Sequence, residues 1–172
     1  MEIEEAVRGR RTHKAYRAEP VDRRTLCELF ELARWAPNHH LTNPWRFRVL
    51  GERTRGVLAE QAELQAPGSA SKLERAPTLV VAGALLRGDP PARQDDLLAA
   101  AIAAYLVLLG AHARGLAGYW RSLALLELPA VRAALRLEQD EQPIGLLHLG
   151  YPIERQRVPE RAAVAEIATF LD

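Results

Sequence analysis

Apolar and polar positions recur with two different periods along the chain, which predicts both helices and strands. Apolar side chains stand three and four positions apart from Leu26 to Ala33, the spacing of one buried helix face. Asp22 can cap this helix at its start, and the pattern ends near Trp35. Shorter helices are predicted over 2–8, 54–64 and 129–137.

Four segments have the composition of strands. Residues 45–50 alternate large apolar side chains with arginine, as a half-buried strand does. Residues 78–86 form an almost wholly apolar run, which indicates a strand covered on both faces, and 144–149 predict a second buried strand. Residues 119–122 predict a short strand or an extended loop. Because helices and strands follow one another without regular βαβ repetition, the predicted fold class is α+β.

The longest apolar run, 97–111, is rich in alanine. It predicts a buried helix that starts at Asp95 and Asp96, whose charges suit a helix N-terminus, and that ends near Gly115. On its length we expect this helix to fall short of a membrane span, so no membrane partner is predicted. The charged N-terminal residues lack the apolar segment of a signal peptide.

Composition limits the classes of function. The 172 residues suit a single domain, 1–172, with a substantial core. Acidic and basic residues nearly cancel to a formal net charge of +1, which gives no electrostatic reason to expect a nucleic-acid partner. The single cysteine, Cys27, cannot form an internal disulfide, which fits a reducing compartment, and we expect a cytoplasmic protein.

The segment 36–47 is the richest in candidate binding groups. It joins a predicted helix to a predicted strand and places two Asn, two His and a Thr between Pro37 and Pro44. Loops on rigid flanks often carry binding groups, although a polar surface turn would have the same composition. His39 and His40 are adjacent, and adjacent residues rarely converge on one metal ion, so no metal site is predicted.

A second group of candidates is basic and lies near the N-terminus. Arg10, Arg11, Thr12 and Lys14 follow the first predicted helix. Guanidinium and hydroxyl groups suit a phosphate, whereas the alternative is a solvated, basic helix end. No Gly-x-Gly-x-x-Gly follows a strand and no Gly-x-Ser-x-Gly is present, so neither a Rossmann dinucleotide site nor an acyl-transfer site is predicted.

Five segments, in the same order along the chain, resemble the flavin-dependent nitroreductase family and its small bacterial members in particular. They cover 8–16, 36–47, 118–122, 145–152 and 155–159. The residues that carry the resemblance are Arg10, Arg11, Thr12, Lys14, Pro37, Asn43, Pro44, Trp45, Phe47, Trp120, Arg121, Ser122, Arg155 and Arg157. Residues 38–41 depart from the commoner family loop, which has Ser and a further Asn there.

The resemblance implies a sheet flanked by helices in an intertwined homodimer that binds FMN. The implied cofactor-binding residues are Arg10, Arg11, Thr12, Lys14, Pro37, Asn38, His39, Asn43, Trp120, Arg121, Ser122, Arg155 and Arg157. Among them, Lys14 would lie at the N1/O2 edge of the flavin ring, and the loop 37–39 would come from the other subunit. His40 and Trp120 are the predicted substrate-pocket residues, although Trp120 alone would equally suit a core anchor.

The implied activity is that of an FMN-dependent oxidoreductase. NADH or NADPH would reduce the flavin, which would then reduce a small-molecule acceptor such as a nitroaromatic or a quinone. Two alternatives stay open. One is a different flavin reaction known for relatives, such as dehalogenation, flavin breakdown or dehydrogenation. The other is a non-catalytic flavin-binding or interaction protein on the same scaffold.

Overall fold

A four-stranded antiparallel sheet forms the centre of the molecule in a computed structural model that describes residues 2–171. In chain order the strands are β1 (Trp45–Val49), β2 (Thr78–Leu85), β3 (Ala117–Arg121) and β4 (Glu141–Gly150). Their order across the sheet is β1-β2-β4-β3. The nearly all-apolar segments form the two central strands, and every residue of β2 is buried because both of its faces are covered. The predicted strands and the α+β class are confirmed.

Helices cover both faces of the sheet. In chain order the helices are α1 (Ile3–Gly9), α2 (Arg23–Ala33), α3 (Glu52–Gln65), α4 (Pro90–Ala113), α5 (Pro129–Leu135) and α6 (Val164–Ile167). Of these, α2 and α4 cover one face of the sheet, α3 and α5 cover the other, and α6 is exposed. Asp22 caps α2 as predicted, since its side chain accepts a hydrogen bond from the Thr25 backbone N–H at 2.9 Å. Short 3₁₀ segments cover His39–Leu41, Ala70–Lys72 and Ala124–Glu127.

The long helix α4 differs from its prediction in two respects. It begins at Pro90, not at Asp95, because Asp89 caps it by accepting from the Ala92 backbone N–H at 3.1 Å and because proline suits the first helical turn. The resulting 24 residues are long and apolar enough to cross a bilayer, so the prediction from length was wrong. Half of its most apolar window is buried within the fold, where α4 packs against α2 and the sheet.

Two hydrophobic cores lie on opposite faces of the sheet. One is covered by α2 and α4 and contains Leu29, Val107 and Leu147. The other is covered by α3 and α5 and contains Leu58 and Leu146. Consecutive residues of β4 therefore supply both cores, because successive side chains of a strand point to opposite faces.

The N-terminal segment 10–16 runs beside β3 at one edge of the sheet. Thr12 forms a parallel bridge with Gly118, and the His13 backbone N–H donates to the Gly118 carbonyl at 3.1 Å. Tyr16 then forms an antiparallel bridge with Pro152. Two segments that the sequence separates by about a hundred positions are thus brought side by side. Beyond them, residues 153–171 are exposed except for Gln156.

Candidate functional site

The pairing of segment 10–16 with β3 creates a small, strongly basic cavity. Its volume is about 210 Å³, and it is lined by Lys14, Tyr16, Lys72, Arg75, Tyr119, Arg121 and His148. Lys14 and Arg121, predicted from separate motifs, therefore meet here. No carboxylate is among these lining residues, so the cavity attracts negative charge.

Two lining residues that were not predicted, Tyr16 and Tyr119, lie on the same segments as Lys14 and Arg121, and three others, Lys72, Arg75 and His148, come from elsewhere in the chain. Lys72 ends the 3₁₀ turn over 70–72, Arg75 follows that turn, and His148 lies near the C-terminal end of β4, so only the tertiary structure brings these three residues together. The sequence contained one indication of Lys72. The chain has only two lysines, and the other one, Lys14, was a predicted site residue.

His148 is the most buried polar group of this cavity, with 1% of its surface exposed. Its ring lies 5.4 Å from that of Tyr119, and its Nε2 atom has no hydrogen-bond partner. Burial lowers the pKa of His148 to about 4, and the nearby Arg121, Arg55 and Arg75 act in the same direction. The imidazole is therefore neutral at pH 7, and the positive charge of the cavity comes from its lysines and arginines.

A second basic cavity, of about 560 Å³, lies at the start of segment 10–16. It is lined by Val7, Arg8, Arg10, Arg11, Tyr105, Val158, Pro159 and Arg161. The Arg10 guanidinium carbon lies 6.0 Å from the centre of the Tyr105 ring, and the Arg11 Nη1 donates to the Arg10 carbonyl at 2.8 Å. Val158 and Pro159 from the C-terminal segment thus lie beside the N-terminal arginines. Arg155 and Arg157 are exposed and do not line this cavity.

Two histidines border the N-terminal arginines. His13 is buried, and burial followed by the charge of His112 lowers its pKa. Burial also lowers the pKa of His112, with Arg10 and Arg11 next in importance. The His112 ring lies so close to the backbone at Gly9 that a larger residue would not fit, because a Cβ there would lie 2.7 Å from the His112 Nε2. Both imidazoles thus resist adding positive charge to an already basic region.

The loop 38–43 has an unusual backbone. His40, Leu41 and Asn43 all have positive φ values, of 51°, 52° and 47°, in the left-handed region that non-glycine residues rarely occupy. The Asn38 Oδ1 accepts from the Asn43 backbone N–H at 2.9 Å, and the Asn43 Nδ2 donates to the Leu41 carbonyl at 2.9 Å. These two amides, predicted to bind cofactor, therefore also hold the loop in its shape. The His39 and His40 side chains are exposed.

The loop does not join the basic cavities within one chain. It precedes β1, one outer strand, whereas Lys14 and Arg121 lie at β3, the other outer strand. Three strand spacings of about 4.8 Å separate these edges. The loop has its own cavity of about 540 Å³, lined by Arg34, Trp35, Ala36, Pro37, Asn38, Leu41, Asn43 and Trp45. Trp35 and Leu41 there are 75% and 77% exposed. A single chain thus carries two separate groups of the predicted site residues.

Trp120 has a clear packing role. It is half-buried, packs against the core under α2 and α4, and its Nε1 donates to the Ile144 carbonyl at 3.1 Å. A Cβ at Gly145 would overlap the Trp120 indole nitrogen, so glycine is what allows the ring to lie on β4. Arg121 lines the basic cavity instead, and Ser122 is exposed just after β3.

Metal ligands are not gathered anywhere in the part of the chain that the structure describes. Within residues 2–171 no group of three or more His, Cys, Asp or Glu side chains could hold a metal ion. The adjacent His39 and His40 face each other edge-on, with ring centres 4.0 Å apart.

The model of the Nitroreductase family matches residues 7–151. The chain belongs to the nitroreductase family. The resemblance indicated by the five sequence segments is thereby confirmed. YfhC of Bacillus subtilis (strain 168), which carries a provisional NAD(P)H nitroreductase name, is 24% identical over 177 residues, covering 95% of this chain and 91% of YfhC.

Solved structures of this family have the same fold. The nitroreductase-like family protein from Bacillus cereus superposes with a TM-score of 0.89 at 23% identity, over 100% of this chain and 97% of that chain. The FMN-dependent nitroreductase NfnB from Mycobacterium smegmatis, solved in complex with NADPH, has a TM-score of 0.80 at 22% identity, over 98% of this chain and 97% of that chain. At these identities the similarity establishes the shared fold.

Proposed function

We propose that this protein is an FMN-dependent oxidoreductase that uses NADH or NADPH to reduce small electrophiles such as nitroaromatics and quinones. The observation that carries the proposal is the pairing of segment 10–16 with β3, which forms a basic cavity at one edge of the sheet, together with a second basic cavity at the start of the same segment. Membership of the nitroreductase family supports the reaction class.

The basic groups fit a flavin phosphate. A phosphate dianion needs several N–H donors, and arginine offers a planar pair of them. Arg10 and Arg11 are neighbours at the larger basic cavity, and the buried Nε atom of Arg11 has no hydrogen-bond partner. In the proposed site these two residues and Thr12 hold the phosphate, with Arg155 and Arg157 added from the C-terminal segment.

The smaller basic cavity fits one edge of the flavin ring. Its 210 Å³ is below the roughly 300–1,000 Å³ of cavities that enclose a whole ligand. In the proposed site Lys14 and Arg121 place positive charge at the pyrimidine edge, and the residues around Trp120 and Ser122 border the ring. When bound, FMN supplies hydride acceptance and transfer. The fixed positive charge of Lys14 favours the electron-rich, reduced form.

We also propose a homodimer in which the loop of one subunit completes the cofactor site of the other. In the proposed site Pro37, Asn38, His39 and Asn43 approach the partner's flavin, and His40 borders the acceptor. Their separation from Lys14 within one chain supports this arrangement. A cytoplasmic location and the lack of a nucleic-acid partner stay predictions from composition.

Visible absorbance and flavin reduction test the proposal. The purified protein should carry FMN, lose its visible absorbance when NADH or NADPH is added without oxygen, and regain it with a nitroaromatic or a quinone. A protein that holds FMN but is reduced by neither nucleotide would be the non-catalytic flavin binder. A protein that takes up no FMN would contradict both the oxidoreductase and the non-catalytic flavin-binding hypotheses.

Lys14→Met tests the ring edge, with Arg23→Met on the exposed start of α2 as its control. The Lys14 variant should keep FMN but have a lower flavin reduction potential, because a cation that favours the reduced form is lost. The control should match the wild type. An unchanged potential in a fully loaded Lys14→Met protein would remove Lys14 from the ring edge.

A further inference from the structure

Asp96 is a buried carboxylate that neither the helix nor the proposed cofactor site explains. It lies in the second turn of α4 and is 3% exposed. Asp89 already caps this helix, so Asp96 is not needed for that purpose. The ion pairs found within residues 2–171 do not include Asp96. A buried charge without a cationic partner is costly unless hydrogen bonds compensate it.

Both oxygens of Asp96 are used to join separate parts of the fold. Oδ1 accepts from the Thr42 hydroxyl at 2.5 Å, and Oδ2 accepts from the Arg87 backbone N–H at 2.9 Å. Thr42 belongs to the loop 38–43, and Arg87 follows the end of β2. One side chain on α4 therefore ties the loop and the sheet to the same helix.

The loop needs such a tie because its backbone is strained. Thr42 stands between Leu41 and Asn43, which both have left-handed φ values. Such conformations persist only where the surroundings hold them in place. The bonds that link Asn38, Leu41 and Asn43 lie within the loop itself, so they set its shape but not its place on the protein. The Thr42–Asp96 bond joins the loop to a helix 54 residues further along the chain.

We propose that Asp96 is a positioning residue: through Thr42 it fixes the strained loop 38–43 relative to α4 and the sheet. Its functional consequence rests on the proposed function, in which His39 and His40 of this loop face the partner's flavin and the acceptor. If the loop could shift, His39 and His40 would occupy many positions relative to the flavin and the acceptor. FMN and acceptor would then bind more weakly, and turnover would be slower.

Thr42→Val and Thr42→Ser form a matched pair for the test. Valine has nearly the shape of threonine but lacks the hydroxyl, so it leaves Asp96 Oδ1 without its partner and keeps the Arg87 bond. Serine keeps the hydroxyl. The first measurement is amide hydrogen exchange of peptides covering 38–43 and of peptides from α4, in protein without added cofactor. It needs neither flavin nor activity.

We expect Thr42→Val to speed exchange in the loop about tenfold, the ratio that one hydrogen bond of ordinary strength represents. Exchange in α4 should be unchanged, and Thr42→Ser should resemble the wild type. Equal loop exchange in the wild type and Thr42→Val would overturn the proposal. Faster exchange along α4 in Thr42→Val would also overturn it, because the hydroxyl would then be supporting the helix.

The second measurement separates this proposal from the proposed function. In FMN-loaded protein, Thr42→Val should bind FMN several-fold more weakly and raise KM for the acceptor, and Thr42→Ser should restore both. If the wild type binds no FMN, the proposed function fails, and the exchange measurement still decides whether Asp96 positions the loop. If the loop loosens while FMN affinity and KM stay at wild-type values, the positioning role in the reaction is overturned.

Discussion

His148 keeps a neutral imidazole at a cavity whose other polar residues are two tyrosines and four cations. Protonation would add a fifth positive charge in a desolvated place, and the fold resists it by lowering the pKa to about 4. The neutral ring occupies the space beside Tyr119 without adding to the repulsion among Lys14, Lys72 and Arg121. Because His148 stays unprotonated at pH 7, the positive charge of the cavity is that of its four lysine and arginine side chains.

His148 also makes the fold sensitive to acid. The unfolded chain binds a proton at this residue below about pH 6.5, whereas the folded chain does so only near pH 4. The free energy of unfolding therefore decreases as pH falls from 6.5 to 4, and the full contribution is present above 6.5. The loss amounts to about 3 kcal/mol.

His148→Leu should remove this part of the pH dependence. Denaturant unfolding at several pH values between 4 and 7 should show a shallower decrease in the variant than in the wild type. The variant should gain most at pH 4 to 5, where the wild type has lost most. Parallel curves for the two proteins would mean that other groups, such as His13 and His112, cause the acid sensitivity.

At the scale of elements, the packing of the Trp120 side chain of β3 on the β4 backbone depends on Gly145. The Trp120 indole lies on the β4 backbone, where a side chain at Gly145 would overlap it. Gly145→Ala should therefore displace the indole and destabilise the fold by about 1–3 kcal/mol, the usual cost of overpacking. The denaturation midpoint and the tryptophan fluorescence of the folded protein measure the two effects.

Gly56→Ala is the matched control for that substitution. Gly56 lies in α3, and a Cβ there would meet no atom within 4 Å. Alanine favours a helix over glycine, so this variant should be more stable by about 0.5–1 kcal/mol. Opposite signs for the two variants are expected. A neutral Gly145→Ala with unchanged fluorescence would show that the Trp120 contact is not tight.

The elements differ in how far the sequence predicts them. β2 and β4 were predictable because a strand buried on both faces must be apolar throughout. The start of α4 was predicted at Asp95 and Asp96 because acidic residues suit a helix N-terminus, but Asp89 and Pro90, which also suit one, form the actual start. Asp96 serves the loop, not the helix end, and only its contacts with Thr42 and Arg87 reveal that.

The site was predictable residue by residue but not as an arrangement. The motifs picked out Lys14 and Arg121, which do meet in one cavity, because both lie on segments that pair along the sheet edge. Lys72 and His148 were missed because their neighbours are distant in sequence. The loop is rich in polar side chains, but the sequence does not show that Asn38 and Asn43 bond the loop's own backbone in addition to their predicted role at the cofactor.

At the scale of the whole molecule, the surface left uncovered is strongly apolar at the C-terminal end. Val158, Val164, Ile167, Phe170 and Leu171 are all largely exposed, with Phe170 at 94%. Leu98 and Ile102 on α4 are exposed as well. Soluble monomers rarely leave so many apolar side chains in water, whereas a partner subunit would cover them. Together with the separated halves of the site, this favours the proposed homodimer.

Mixing two defective variants tests whether two subunits share each site. One variant carries Arg10→Met and Lys14→Met, and the other carries Asn38→Ala and His39→Ala. In a symmetric dimer with shared sites, a mixed dimer has one doubly defective site and one intact site. Random pairing after coexpression should restore FMN binding and turnover in about a quarter of all sites. Each variant alone should show little of either, and light scattering should give twice the 19.1 kDa chain mass. No restored binding in mixed dimers, or flavin held by a monomer, would place the whole site in one chain.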